Sequence, residues 1–238
     1  MATLNLLYKS EVTINEFIKV RIPSVGEILE CEDEYYRLVS LFTAMPIDMM
    51  VQLDDIGIDF TSINEYDLFL LLFSSLQQQD TGMILGDLDL KPFHTVINEQ
   101  NGTIVLRDEQ SGVNIDRAIH GQIAEVLRRI HHLEKNVRKP ANEAARKYML
   151  QRMRDKMRRH RNRTYDSQLE SLIIALVNTE QFSYGFEGTR ELSIYQFNES
   201  VRQIIKKIDY DNKMRGVYSG TVSAKDLSQD DLNWLIHK

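Results

Sequence analysis

The sequence has little of several features that define common functional classes. It holds one cysteine, Cys31, in 238 residues, so an intramolecular disulfide is excluded and a reducing compartment is expected. Its longest apolar runs, among them Leu68 to Phe73, have six residues, far fewer than the roughly 18–20 that a membrane-spanning helix needs. The first residues lack the basic start, apolar block and cleavage site of a signal peptide. We therefore expect a folded intracellular protein that does not bind membranes.

Motifs of nucleotide and metal chemistry are also missing. The eleven glycines form neither G-x-G-x-x-G nor G-x-x-x-x-G-K, and H-E-x-x-H does not occur. His131 and His132 are adjacent on a predicted helix, where their side chains diverge by about 100° and cannot share a metal. Asp87 and Asp89 resemble the start of a calcium loop, but Pro92 stands where that loop needs glycine. We therefore expect no cofactor, no metal site and no enzymatic activity.

Charge is abundant but unevenly distributed. The chain has a net charge of −6 and 27% charged residues, within the usual range for globular proteins. Residues 1–137 carry 10 basic and 22 acidic side chains, whereas residues 138–163 carry 11 basic and 2 acidic ones. Residues 164–238 carry 8 basic and 11 acidic side chains. Opposite electric fields on one chain favour self-association or docking to complementary partners.

The N-terminal half shows patterns of both strand and helix. Alternating apolar residues predict one or two strands in residues 11–22. Ser24 and Glu27 form a capping box, which predicts the start of a short helix. Helical spacing of apolar residues predicts longer helices over residues 32–44 and 66–79.

Period-two segments return in the middle of the chain, and helical ones follow. Residues 93–97 and 103–106 flank Asn101-Gly102, a strong signal for a β-hairpin. Apolar spacing then predicts a helix over residues 114–136. In the C-terminal part it predicts a long amphipathic helix from Ser193 to Met214 and a short terminal helix from Ser228 to Ile236.

These patterns predict a mostly helical α+β fold with small N-terminal strands and one β-hairpin. We expect three segments: an acidic α+β domain at 1–137, a basic connecting helix at 138–164 and a helical C-terminal subdomain at 165–238.

The basic helix is the sharpest physical signal, and it leaves three interpretations open. Its arginines surround most of the helix: Arg152, Arg154, Arg158, Arg159, Arg161 and Arg163. In the first interpretation these arginines form a solvated charged face. In the second they contact an acidic protein, such as another copy of this chain. In the third they bind the phosphates of a nucleic acid. Only Tyr148 adds an aromatic ring and the total charge is negative, so nucleic acid is the least favoured.

Methionines and the single tryptophan are further candidates for partner binding. Met45, Met49 and Met50 cluster beside Pro46 and offer an adaptable apolar surface. Packing in the core explains methionines at such positions equally well. Trp234 is a candidate anchor residue.

Three stretches of sequence resemble a family of phage proteins from Gram-positive hosts. They are IPSVGEILECEDEYYRLVSLFTAMPIDMMVQLDDIGIDF, NEAARKYMLQRMRDKMRRHRN and QFSYGFEGTRELSIYQFNESVRQIIKKIDYDNKMRGVYSG. In these stretches the chain is similar to the tail-assembly chaperones encoded among tail genes. This resemblance implies a protein that binds the tape-measure protein and helps tail-tube subunits polymerise around it. It implies no cofactor and no catalytic residue.

Two alternatives of other classes stay open. A structural virion component, such as a baseplate, neck or tail-terminator protein, would share a resemblance to tail genes. A nucleic-acid-binding protein would act through the basic helix at 146–163. A chaperone is expected in the host cytoplasm during assembly, and a structural component is expected in the virion.

Overall fold

The computed structural model describes residues 5–98, 102–160 and 166–235. The chain is 53% helical, with two small antiparallel sheets. These features confirm the predicted mostly helical α+β fold. No helix within the described ranges combines the length and the hydropathy needed to cross a membrane.

The chain divides into two compact units. Unit 1 comprises Met1–Pro23 and Cys31–Asp166, and unit 2 comprises Ser24–Glu30 and Ser167–Lys238. The basic helix thus groups with unit 1, and a short N-terminal segment groups with unit 2. The predicted segments instead kept the basic helix apart from the N-terminal domain and placed all of residues 1–137 in that domain. The predicted boundary at residue 164 lies outside the described residues.

Three helices form the centre of unit 1: α2 (Glu32–Thr43), α4 (Glu65–Gln77) and α6 (Arg117–His131). Local signals set their starts. Asn64 begins α4 by accepting hydrogen bonds from two backbone amides, and Asp116 Oδ1 begins α6 by accepting from the Ile119 amide at 2.8 Å. The helices pack through large side chains that are at most 1% exposed, among them Tyr35, Phe42, Phe69, Leu127 and Ile130.

Two small sheets flank these helices. Strands β1 (Glu11–Thr13) and β2 (Lys19–Arg21) form an antiparallel pair. Strands β3 (His94–Ile97) and β4 (Ile104–Arg107) confirm the predicted hairpin, whose turn residues 99–101 lie outside the described residues. A third strand, β5 (Asn114–Ile115), pairs with β4. The helix predicted over residues 114–136 is therefore too long: residues 114–115 form β5, and the helix spans Arg117–His131. The sequence did not reveal β5, because two residues are too few to show alternation.

The remaining helices of unit 1 are α3 (Met50–Asp55), α5 (Gly82–Leu85) and α7 (Glu143–His160). The basic helix α7 packs on α3 through a cluster of buried side chains, the α7 cluster. Its members are Ile47, Met50, Val51, Leu53, Phe60, Leu68 and Leu150. The narrow apolar seam of this mostly charged helix thus packs against the core of unit 1.

Unit 2 contains α1 (Val25–Glu30), α8 (Gln168–Val177), α9 (Phe186–Glu191), α10 (Ile194–Tyr218) and a 3₁₀ turn (Ala224–Asp226). The predicted capping box that begins α1 is present: Ser24 N donates to Glu27 Oε2 at 2.7 Å, and Glu27 N donates to Ser24 Oγ at 3.1 Å. Val25 and Ile28 are fully buried. The Val25 amide also donates to the Leu192 carbonyl at 2.8 Å. The N-terminal segment therefore completes the core of a unit built mainly from the C-terminal part.

The prediction of a terminal helix from Ser228 to Ile236 is wrong for residues 228–235, which form turns. The side chain of Ser228 does cap a first turn by accepting from the Asp231 amide at 3.2 Å. The backbone then meets other partners, because Lys206 donates to the Asp230 carbonyl and Gln203 to the Trp234 carbonyl. A segment this short cannot offset the cost of starting a helix, so the chain forms these contacts instead of helical hydrogen bonds.

Candidate partner-binding surfaces

The inner face of α7 is bound to acidic side chains of its own unit. Arg154 Nη2 lies 2.8 Å from Asp54 Oδ2 and 2.5 Å from Asp55 Oδ1. Arg146 Nη1 lies 3.6 Å from Asp59 Oδ2. Hydrogen bonds to Asp55 and Asp54 raise the pKa of Arg154. The basic and acidic regions thus meet within the chain, and Arg154 is less available to a partner than its sequence position indicates.

The outer face of α7 presents the other described candidate arginines to solvent. Arg152, Arg158 and Arg159 are exposed, and Arg158 pairs with Asp155 on the same helix. Arg161 and Arg163 lie outside the described residues. Surface pairs of this kind contribute little to stability, so the outer arginines stay candidates for contact with an acidic partner.

The candidate methionines belong mostly to the core. Met50 is 5% exposed within the α7 cluster, and Met45 and Met49 are half-buried against it. Core packing therefore accounts for Met50. Met45 also lines an open cavity, so it is the candidate methionine that a ligand could reach there.

This cavity, the unit 1 cavity, has a volume of about 470 Å³. Its apolar lining includes Met45, Ile47, Phe60, Ile63 and Tyr66. Its charged lining consists of Glu65, Arg117, Lys135, Arg138 and Lys139. No sequence motif marks this cavity, because its walls come from segments separated by more than fifty residues.

A buried charge network stands beside the cavity. Arg128 donates hydrogen bonds to Glu65 and, at 2.7 Å, to the Thr43 carbonyl, and its side chain is 6% exposed. Lys135 is a second ionic partner of Glu65. Burial opposes ionisation of Glu65, but the hydrogen bonds from Lys135 and Arg128 outweigh burial and lower its pKa. The network keeps a carboxylate charged in a nearly water-free position.

Two histidines of α6 are held neutral by burial. His120 stacks on Phe69 with ring centroids 4.1 Å apart, and its Nε2 lies 3.2 Å from the Phe42 carbonyl. Burial lowers the pKa of His120 to about 4. His131 hydrogen-bonds the Tyr35 hydroxyl at 2.8 Å, and burial followed by the charge of His132 lowers its pKa to about 4. Both side chains favour the folded state only while they are uncharged.

Acid is therefore expected to destabilise the fold through these histidines. An unfolded histidine has a pKa of about 6.5, so between pH 6.5 and pH 4 the unfolded chain binds more protons than the folded one, and stability decreases as the pH is lowered. His120→Gln keeps an amide donor for the Phe42 carbonyl but cannot titrate. In this variant, the slope of the unfolding free energy against pH should be smaller than in wild type by up to about 1.4 kcal/mol per pH unit. Urea unfolding at several pH values measures the slope.

The matched control for this prediction is Ile56→Gln, which places the same side chain at a position that is 65% exposed and removes no titratable group. It should leave the slope of stability against pH unchanged. Equal slopes for wild type and His120→Gln would contradict the assignment of a buried, neutral His120.

Unit 2 carries an unusual share of exposed apolar side chains. It holds 11 of the 22 large apolar residues that are exposed in the described chain, although it comprises about a third of the residues. In α8, Leu169, Ile173 and Leu176 face the core, while Leu172 and Ile174 are 36% and 49% exposed. A short helix that is apolar on both sides is normally buried on both. The exposed apolar side chains of α8 were overlooked in the sequence, where LESLIIALV does show the signal.

Two further apolar features lie in the same unit. Ile205 and Ile208 of α10 are three residues apart, so they are neighbours on the helix surface, and they are 61% and 38% exposed. Trp234 is 41% exposed, and its ring lies 5.8 Å from the Lys207 ammonium. Trp234 is thus accessible, as an anchor residue must be. It lies in a different unit from the candidate arginines and methionines.

Metal-ligating side chains do not gather in the described part of the chain. No group of three or more His, Cys, Asp or Glu residues there is arranged to hold a metal ion.

The C-terminal part of the chain matches one family of known proteins. Residues 160–237 are similar to the YomV second domain. This family is phage-derived, which points to a phage protein. The match covers about a third of the chain and coincides with the C-terminal portion of unit 2. The chain matches no curated protein and no solved structure.

Proposed function

We propose that the protein is a non-catalytic tail-assembly chaperone that binds the tape-measure protein, tail-tube subunits or both in the host cytoplasm. The resemblance of three long stretches of sequence to tail-assembly chaperones supports this function. The similarity of residues 160–237 to a phage-derived domain supports its phage origin.

The observation that carries the proposal is the exposed apolar surface of unit 2, which includes Leu172 and Ile174 of α8. Both lie within the stretch that matches the phage-derived domain, and they stay exposed on either side of the buried stripe of the helix. Exposed apolar surface of this kind marks sites where proteins bind one another. A helical client such as a tape-measure protein offers an apolar stripe that suits an exposed apolar surface.

The geometry of α7 favours a protein client over nucleic acid. Two of its cations, Arg146 and Arg154, contact carboxylates of the same unit. Fewer cations are then left to contact phosphates, which supply most of the affinity for nucleic acid. The exposed Arg152 and Arg159 suit the charged rim of a protein-binding surface instead.

The experiment is co-expression of the protein with the tape-measure protein and the tail-tube protein of the same phage. We expect the soluble yield of the tape-measure protein to rise and the two proteins to co-purify. Leu172→Lys with Ile174→Lys should reduce the co-purified amount about tenfold or more, because both side chains would place charge in an apolar contact.

The matched control is Ile56→Lys, which changes an apolar side chain that is 65% exposed in unit 1. It should co-purify like wild type, and thermal melts should show that all variants are folded. A client that stays equally soluble without this protein, or that binds the α8 variant as well as wild type, would overturn the proposal.

A further inference from the structure

The unit 1 cavity has the size and lining of a binding site. Its volume of about 470 Å³ falls in the range of about 300–1,000 Å³ that is usual for ligand sites. Apolar side chains from two separate segments, among them Met45, Ile47, Phe60 and Ile63, form much of its wall. An apolar group of an occupant would therefore lose water on entering and be stabilised there.

The charged lining of the cavity is predominantly cationic. Glu65 is its carboxylate, and Arg128 and Lys135 already neutralise that charge. Arg138 and Lys139 are exposed, and within the described residues neither forms an ion pair. An occupant that complements this site must bring a large apolar side chain together with carboxylates.

The chain itself contains a segment with this chemistry, at residues 226–235. Asp226 and Asp230 are exposed, and within the described residues their carboxylates form no ion pair. Leu232, Trp234 and Leu235 are 48%, 41% and 50% exposed. The segment thus presents apolar and acidic groups outward together.

Polar contacts and a cation–π contact between Lys207 and Trp234 hold this segment to α10. Lys206 and Gln203 donate to its backbone carbonyls at 2.6 and 2.7 Å, and Lys213 lies 2.6 Å from the Asp231 carboxylate. None of residues 221–235, all of which the structure describes, is buried. The apolar side chains of the segment therefore remain exposed enough to form a second contact.

We propose that the unit 1 cavity of one copy binds residues 226–235 of a second copy. Trp234 enters the apolar part of the cavity, and Asp226 and Asp230 face Arg138 and Lys139. The two surfaces differ, so the contact is head-to-tail and leaves the segment of the first copy and the cavity of the second copy free. Such contacts continue into rings or open chains. This inference does not depend on the identity of the client in the proposed function.

The test is sedimentation of the full-length protein over a range of concentrations. Wild type should grow in mass with concentration, and salt should weaken the association because exposed charges contribute to it. A cavity variant, Arg138→Glu with Lys139→Glu, and a segment variant, Trp234→Ala with Leu235→Ala, should each associate at least about tenfold more weakly. All four side chains are exposed, so the variants should fold, which circular dichroism and thermal melts would verify.

Mixing the two variants is the decisive part of the experiment. The cavity variant retains an intact segment and the segment variant retains an intact cavity, so an equimolar mixture should form a one-to-one dimer and stop there. Combining the cavity variant with Asp226→Lys and Asp230→Lys in one chain should restore association, since both charges are then reversed. Lys9→Glu with Lys91→Glu makes the same charge change at two other exposed positions of unit 1 and should associate like wild type.

Three results would overturn the proposal. Wild type could remain monomeric at every concentration, as it would if the segment bound its own cavity or a different partner. Either variant alone could associate as strongly as wild type. The mixture of folded variants could remain monomeric although wild type associates.

Discussion

Replacing Glu65 with alanine is expected to lower the free energy of unfolding by about 3–5 kcal/mol. Arg128 is 6% exposed on its side chain and would keep its charge in an apolar position. Within the described residues, its remaining hydrogen-bond partners would be the Thr43 carbonyl and the Met45 sulfur, neither of which carries the opposite charge. Removing one partner of a buried ion pair is costly for this reason, whatever the pair itself contributes. Chemical denaturation in urea measures the change.

Two comparison variants separate charge loss from other effects. Glu65→Gln keeps the shape and one acceptor oxygen, so it should cost less than alanine while still destabilising the fold. Asp155→Ala removes a carboxylate from the exposed pair with Arg158 and should change little. A Glu65→Ala variant as stable as Asp155→Ala would mean that the buried pair does not exist as described.

Replacing Ile28 with alanine is expected to lower the free energy of unfolding by about 2–5 kcal/mol, with the loss concentrated in unit 2. Ile28 is fully buried and belongs to α1, a segment far in sequence from the rest of the unit. The truncation leaves a cavity in a core that residues 167–238 cannot complete alone. The same segment lies outside the stretch that matches the phage-derived domain.

Hydrogen exchange by mass spectrometry locates this effect. Amides of α9 and of the first half of α10 should exchange faster in Ile28→Ala, while amides of α6 should change less. Ile56→Ala is the matched control, because the same truncation occurs at a side chain that is 65% exposed. Unchanged protection of α9 and α10 would contradict the assignment of α1 to the core of unit 2.

Local signals were sufficient to predict most of the secondary structure. The capping box of Ser24 and Glu27 and the apolar spacing in residues 32–44 depend on neighbours a few positions apart, and both led to the observed helices. The Asn-Gly hairpin signal likewise gave strands β3 and β4. Such features follow from steric and hydrogen-bonding preferences that act within a few residues.

Features that depend on distant residues could not be predicted in this way. The apolar residues Val25 and Ile28 show that α1 has a buried face, but not which core covers it. Arg154 contacts Asp54 and Asp55, which lie 100 and 99 positions earlier. The charge pattern of α7 indicates exposure and does not reveal these partners. The unit 1 cavity could not be predicted from the sequence either, because its walls meet only in the folded chain.

The most direct test of the proposed function is a count of this protein in purified phage particles by quantitative mass spectrometry, with the infected lysate as reference. A chaperone acts during assembly and is released, so we predict abundant protein in the lysate and none in the particles. A fixed number of copies in every particle would contradict the chaperone proposal and establish a structural component of the virion.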